Sequence, residues 1–211
     1  MVMKNVLAFG DSNTWGLVPG SRCLLRYPRN TRWTGVLEDR CESVHIIEEG
    51  LCGRTTAFED EVRPGKNGVS ALPEILENSP SLDAAIVMLG TNDCKTFFSL
   101  SADEIGEGLE RCLDEIEKYV SPERILLVSP ILLKEDVWKP EKDPDFGVES
   151  VGVCKNLKRV YKRIAKERGT AFLAASDYAQ SNDRDSEHLD AEGHRILSMV
   201  IHRKLREMQV V

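Results

Sequence analysis

Short uninterrupted apolar runs alternate along the chain with longer stretches in which apolar residues recur every three or four positions. Val6–Phe9, Val44–Ile47, Ala84–Leu89, Ile125–Val128 and Ala171–Leu173 are the runs. Each reads as a strand covered on both faces, since a strand with one wet face alternates apolar and polar residues instead. Helical spacing marks Trp33–Cys41, with Trp33, Val36, Leu37 and Arg40 along one stripe, then Ala71–Leu76, Asp103–Tyr119, Val151–Arg168 and Ala191–Met208. Strand and helix in alternation predict an α/β protein, a three-layer α/β/α sandwich built on a five-stranded parallel sheet. No repeat, low-complexity tract or linker interrupts the order, so residues 1–211 are expected to form a single domain. The least regular segment is Leu132–Glu149, a polar, Pro-bearing loop that reads as a surface excursion or a cover over a site.

Composition narrows the partners. Hydrophobic residues make up 41% of the 211 and charged ones 30%, enough apolar material for a core. The net charge of -7 argues against nucleic acid or an anionic membrane, whose phosphates require a basic surface. The basic run Lys155–Arg159 falls on a helical pattern and reads as a solvated face. The six cysteines, Cys23, Cys41, Cys52, Cys94, Cys112 and Cys154, form no CxxC and no His-spaced set, so neither a metal nor a cofactor is expected. With no export signal and no apolar stretch of membrane length, a cytoplasmic protein with reduced thiols is the expectation.

In an open parallel sheet, ligands bind beyond the carboxyl ends of the strands. Gly10-Asp11-Ser12-Asn13 follows the first run, Glu48 to Thr55 with its glycines the second, and Gly90-Thr91-Asn92-Asp93 the third. Asp185-Ser186-Glu187-His188 lies beyond the fifth. Singly these are ordinary: Ser12 is a helix cap, Gly53 a turn glycine, Asn92 and Asp93 a turn, and His188 a surface histidine. Together they hold what acyl transfer needs: a hydroxyl nucleophile, a base, an orienting acid and donors for an oxyanion. Asp11 and Asp93 are expected to hydrogen-bond the turns, and Cys94 to be an inert buried thiol.

The same residues resemble the four sequence blocks of the SGNH hydrolases, the GDSL-type esterases and lipases. "FGDSNTWG", "RWTGVL", "EEGLCGRTT" and "MLGTNDCK" are similar to its arylesterase and acyltransferase branch. The resemblance implies the flavodoxin-like SGNH fold, with Ser12 as nucleophile, His188 as general base and Asp185 as its orienting acid. It also implies oxyanion donors from the backbone of Ser12 and Gly53 and the side chain of Asn92, a homo-oligomer, and acyl transfer to alcohols. Asp183 is an alternative orienting acid, disfavoured by spacing. His194 is a rival base, but Asp190 reads as the cap of the last helix, which puts His194 a turn inside it. His45 reads as a partnered structural histidine in its strand, and His202 sits late in the last helix.

For the substrate pocket, the candidates are Asp11 and Trp15 beside the nucleophile and Trp138 and Phe146 on the long loop; Trp33 reads as core. Aromatic walls would suit short-chain acyl or aryl esters. A carbohydrate O-acetyl esterase or thioesterase uses the same machinery, and a non-catalytic ligand-binding module is the alternative of a different class.

Overall fold

A computed structural model of the protein describes residues 3–21 and 25–211; Cys23 lies outside the described residues. Five parallel strands form the sheet: β1 (Lys4–Gly10), β2 (Val44–Gly50), β3 (Ala84–Met88), β4 (Ile125–Ser129) and β5 (Ala171–Ala174). The connecting helices are α1 (Ser12–Trp15), α2 (Trp33–Arg40), α3 (Gly68–Asn78), α4 (Ala102–Ile116) and α5 (Val148–Arg168), and α6 (Ala191–Glu207) follows β5.

The pleat divides each strand between two cores. Leu7, Phe9, Ala85, Val87, Ile125 and Leu127 face the layer of α3, α4 and α5. Val6, Ala8, Ala84, Ile86, Leu126 and Val128 face α2 and α6, where Trp33, Leu37, Leu197 and Ile201 meet them. Both faces are covered, as the continuous apolar runs require. No helix among the described residues is long and apolar enough to cross a membrane.

Strand order is β2-β1-β3-β4-β5. The chain steps outward from β1 to β2, then returns past β1 to β3. The order therefore reverses between β1 and β3, and the crevice at such a reversal, outside the carboxyl ends, is where open α/β sheets bind ligands. Gly10, Gly50 and Met88 stand level in the register, so the segments after these three strands emerge side by side. Gly50 also lets the backbone of Trp15 pass, since a Cβ there would collide with it.

β2 runs three residues beyond its apolar stretch. Glu48 pairs across to Ala8 and Glu49 to Phe9, and Glu48 is neutralised by Arg32 at 2.6 Å and Arg26 at 3.2 Å. An edge strand leaves room for such carboxylates, which a central strand would bury without partners. His45, expected to be a partnered structural histidine, is exposed on this edge strand with its Nδ1 3.4 Å from Glu38 Oε2.

The long loop is pinned down, not free. Ser181 Oγ donates to Leu132 O at 2.9 Å, Lys134 N to Ser186 O at 3.0 Å, and Thr96 N to Asp145 O at 2.9 Å. Val137 and Phe146 are its apolar anchors. Phe146 is 2% exposed within the core of α4 and α5, with the Lys95 ammonium 5.6 Å over its ring. It forms no pocket wall: the ring faces inward because burial repays it there. Phe146→Ala is expected to cost about 3–5 kcal/mol, measured as a fall in denaturation midpoint at unchanged m-value. An unshifted midpoint would show the ring to be dispensable.

Candidate active site

Ser12 opens the four-residue α1 directly after β1. Asp11 caps that helix, its Oδ1 accepting from Asn13 N at 2.9 Å, and Gly16, at φ 88°, ends it. Burial pushes the Asp11 carboxyl up to about 6, against the Asn13 N–H that favours its charge. Asp11 thus lies beneath the turn as its cap and is not among the residues lining the cavity.

His188 Nε2 stands 2.8 Å from Ser12 Oγ, and its Nδ1 stands 3.0 Å from Asp185 Oδ2. Asp185 Oδ2 also accepts from Gly20 N at 2.6 Å, and Oδ1 from His188 N at 3.0 Å. Burial disfavours charge on Asp185, but the hydrogen bond and charge of His188 prevail and hold its pKa at about 2. An ionised Asp185 fixes the proton on Nδ1 and leaves Nε2 as acceptor for the Ser12 hydroxyl. Burial also resists charge on His188; Glu187, and then Asp185, overcome it and carry the imidazole up to about 9.

The rival groups are elsewhere. Asp183 is a surface carboxylate paired with Lys134. His194 lies in α6 behind the Asp190 cap, which accepts from Gly193 N at 2.8 Å. Its Nδ1 accepts from Trp33 N at 3.3 Å, and burial pushes its pKa down to about 3. His202 is in the same helix, on the wall of a separate cavity of about 880 Å³ with Lys4, Arg40 and Arg206, at the amino ends of the strands.

Gly53 sits at φ 81°, a left-handed conformation that favours glycine. Asp93 ties this turn to the segment after β3: it accepts from Thr56 N at 2.9 Å and Thr56 Oγ1 at 2.6 Å. Burial raises its pKa to about 6 against those same bonds. Asn92, in the 3-10 turn Asn92–Cys94, donates from Nδ2 to Arg54 O at 3.2 Å, and its amide carries a second N–H. The backbone N–H groups of Ser12 and Gly53 donate to no acceptor among the described residues.

Ser12, Gly53, Asn92, Asp185 and His188 line one cavity of about 730 Å³. Its remaining walls correct the aromatic expectation. Trp15 turns away to meet Arg26, 5.3 Å from its ring. Trp138 is partly exposed, its indole N–H bonded to Glu135 O at 2.9 Å, and it does not reach the cavity. Leu17, Arg63, Lys66, Lys95, residues 140–145, Arg184 and Glu187 line it instead. Nearness in sequence to Ser12 or to the loop decides nothing about facing, because the turn and the loop anchors rotate these rings outward or into the core.

Two residues escaped sequence reasoning. Asn13 clamps the His188 segment: its Oδ1 accepts from Leu189 N at 2.9 Å and its Nδ2 donates to Glu187 O at 3.5 Å, bracketing the imidazole. Glu187 places a buried carboxyl 3.7 Å from His188 Nε2. Both lie inside the blocks that drew attention, and that adjacency was the one available signal. Among the described residues no group of His, Cys, Asp or Glu is arranged to hold a metal ion.

The crevice at the strand reversal thus presents a serine, an imidazole and a carboxylate in one hydrogen-bonded line. Residues 8–196 match the model of the GDSL-like lipase/acylhydrolase family, and the chain belongs to it. Among solved structures, Est24, a carbohydrate acetylesterase from Sinorhizobium meliloti, is 35% identical with a TM-score of 0.88, over 97% of this chain and 99% of that one. The native aryl esterase of M. smegmatis is 30% identical with a TM-score of 0.87, over 97% and 99%. A carbohydrate acetylesterase family member from Sinorhizobium meliloti is 31% identical with a TM-score of 0.88, over 99% and 100%. A comparison with curated protein sequences gave no match. The protein is a carboxylic ester hydrolase with the flavodoxin-like fold of this family.

Proposed function

We propose that the protein hydrolyses short-chain acyl esters through Ser12, His188 and Asp185. The observation that carries this reading is the hydrogen-bonded line from Ser12 Oγ through His188 to Asp185, at 2.8 Å and 3.0 Å, beside unengaged N–H donors. Ser12 Oγ attacks the ester carbonyl carbon while its proton passes to His188 Nε2. The resulting oxyanion is received by the N–H groups of Ser12 and Gly53 and the Asn92 amide. On collapse, the carbon–oxygen bond to the alcohol breaks and His188 Nε2 returns the proton to the departing oxygen. Water then attacks the acyl-serine, giving its proton to His188. That proton returns to Ser12 as the carboxylic acid leaves.

The charged lining favours esters of polar alcohols over aryl esters, which is the reading the two carbohydrate acetylesterase relatives also support. It also keeps water at the acyl-serine, so we assign hydrolysis, not transfer to alcohols, as the main reaction.

The p-nitrophenyl acetate, butyrate and octanoate series tests the reading. Turnover of acetate and butyrate, feeble on octanoate and absent in Ser12→Ala, is expected; equal turnover in the variant would refute it. Asn92→Ala is expected to lower kcat by about 10²–10³ with little change in KM. A change confined to KM would remove Asn92 from the oxyanion site.

A further inference from the structure

Glu187 is a carboxyl where a simple esterase has no use for one. It is 4% exposed, lines the cavity, and its side chain makes no hydrogen bond among the described residues. Its backbone is held on both sides, N donating to Asp185 Oδ1 at 3.2 Å and O accepting from Asn13 at 3.5 Å, which places the base of the side chain at the cavity wall. Buried carboxyls normally find donors, and one left without them carries a desolvation penalty. Burial accordingly raises its pKa to about 7. The Lys95 ammonium on the cavity wall is already engaged by Asp145 at 3.2 Å and Asp143 at 3.9 Å.

Position gives this carboxyl a partner. In the proposed reaction the leaving oxygen must come within hydrogen-bond reach of His188 Nε2 to take its proton. Glu187 Oε1 is 3.7 Å from that same nitrogen. The first carbons of the alcohol therefore pass beside Glu187, and the donor the carboxyl lacks is one that the alcohol half of the substrate brings. A hydroxyl suits the site because it brings the donor the carboxyl lacks together with an acceptor, on a wall that mixes the cations Lys66 and Arg184 with the carboxylates Glu141 and Asp143.

We propose that Glu187 selects the alcohol: it hydrogen-bonds a hydroxyl on the carbon adjacent to the one that bears the ester oxygen, so that the preferred substrates are short-chain monoesters of vicinal diols, as in partly acylated sugars and polyols. This rests on the Ser12 esterase reading and adds its substrate class.

Glycerol 1-acetate and propyl acetate share the acyl group and the three-carbon alcohol and differ by two hydroxyls. Their kcat/KM ratio is measured in the full-length protein, in Glu187→Gln and in Glu187→Leu, with Ser12→Ala as background. Any change in the basicity of His188 acts on both esters and cancels in the ratio. The native protein is expected to favour glycerol 1-acetate by about tenfold or more, the worth of one hydrogen bond to a charged group. Glu187→Leu is expected to bring the ratio near that of free solution. Glu187→Gln, isosteric and able to hydrogen-bond, keeps most of the preference. Ser12-dependent turnover with the same ratio in all three proteins, or no native preference, overturns the role of Glu187 and leaves the esterase standing. No Ser12-dependent turnover of either ester overturns both.

Discussion

Ser12→Ala is expected to lower kcat for p-nitrophenyl acetate by about 10⁶-fold, down to what the remaining donors and binding supply. The size follows from the lack of any substitute. Ser12 is the hydroxyl that meets His188 Nε2, while Thr14 and Thr91 are buried and their hydroxyls make no hydrogen bond. Folding is little affected, because Ser12 gives up one hydrogen bond and Asp185 still holds the imidazole. Turnover and the thermal midpoint are measured together, and a fluorophosphonate probe read by mass spectrometry locates the adduct. Loss of turnover and labelling at a native-like midpoint is the expected result. Labelling of the variant at another residue would assign the nucleophile elsewhere.

Asp185→Asn is expected to lower kcat by about 10⁴-fold with the geometry retained, because an amide no longer fixes the proton on Nδ1 and the wrong tautomer faces Ser12. The pH profile separates this from a structural defect. His188 works as a base only when neutral, so kcat/KM rises with pH through its elevated pKa of about 9. Burial opposes that elevation, Glu187 is its first source and Asp185 its second. Removing Asp185 therefore moves the acid limb to lower pH even as the plateau falls. A limb that stays in place would mean that another group titrates there. Stability shifts with the opposite sign. The Asp185 carboxyl is held at about 2, below its ordinary 3.8, so its contribution is present above 3.8 and lost as pH falls through 2. The midpoint gap between native protein and variant is expected to close over that window.

The central strands were legible because their pattern is their environment: Ala84–Met88 is apolar on both faces, and only a position between two helical layers buries both. The end of β2 was not, since Glu48 and Glu49 look like a loop until Arg32, Arg26 and the pairing with β1 are in place. At the site, Ser12, Gly53, Asn92, Asp185 and His188 could be named because a parallel sheet delivers the residues after its strands to one edge. The aromatic pocket could not be judged in the same way, and Trp15, Trp138 and Phe146 all lie off the cavity wall.

The amino-acid sequence by itself determined the class of fold, the order of its elements and the short list of reactive groups, because periodicity and strand-end position are properties of neighbours along the chain. Only the tertiary structure decided that Asp185, and not Asp183, touches His188, that Asn13 brackets the imidazole, and that Glu187 lines the cavity 3.7 Å from the imidazole. Those contacts join residues up to 176 positions apart. Which side chain faces which is set there by the packing of the His188 segment against α1, and a distance of that kind has no counterpart in local spacing.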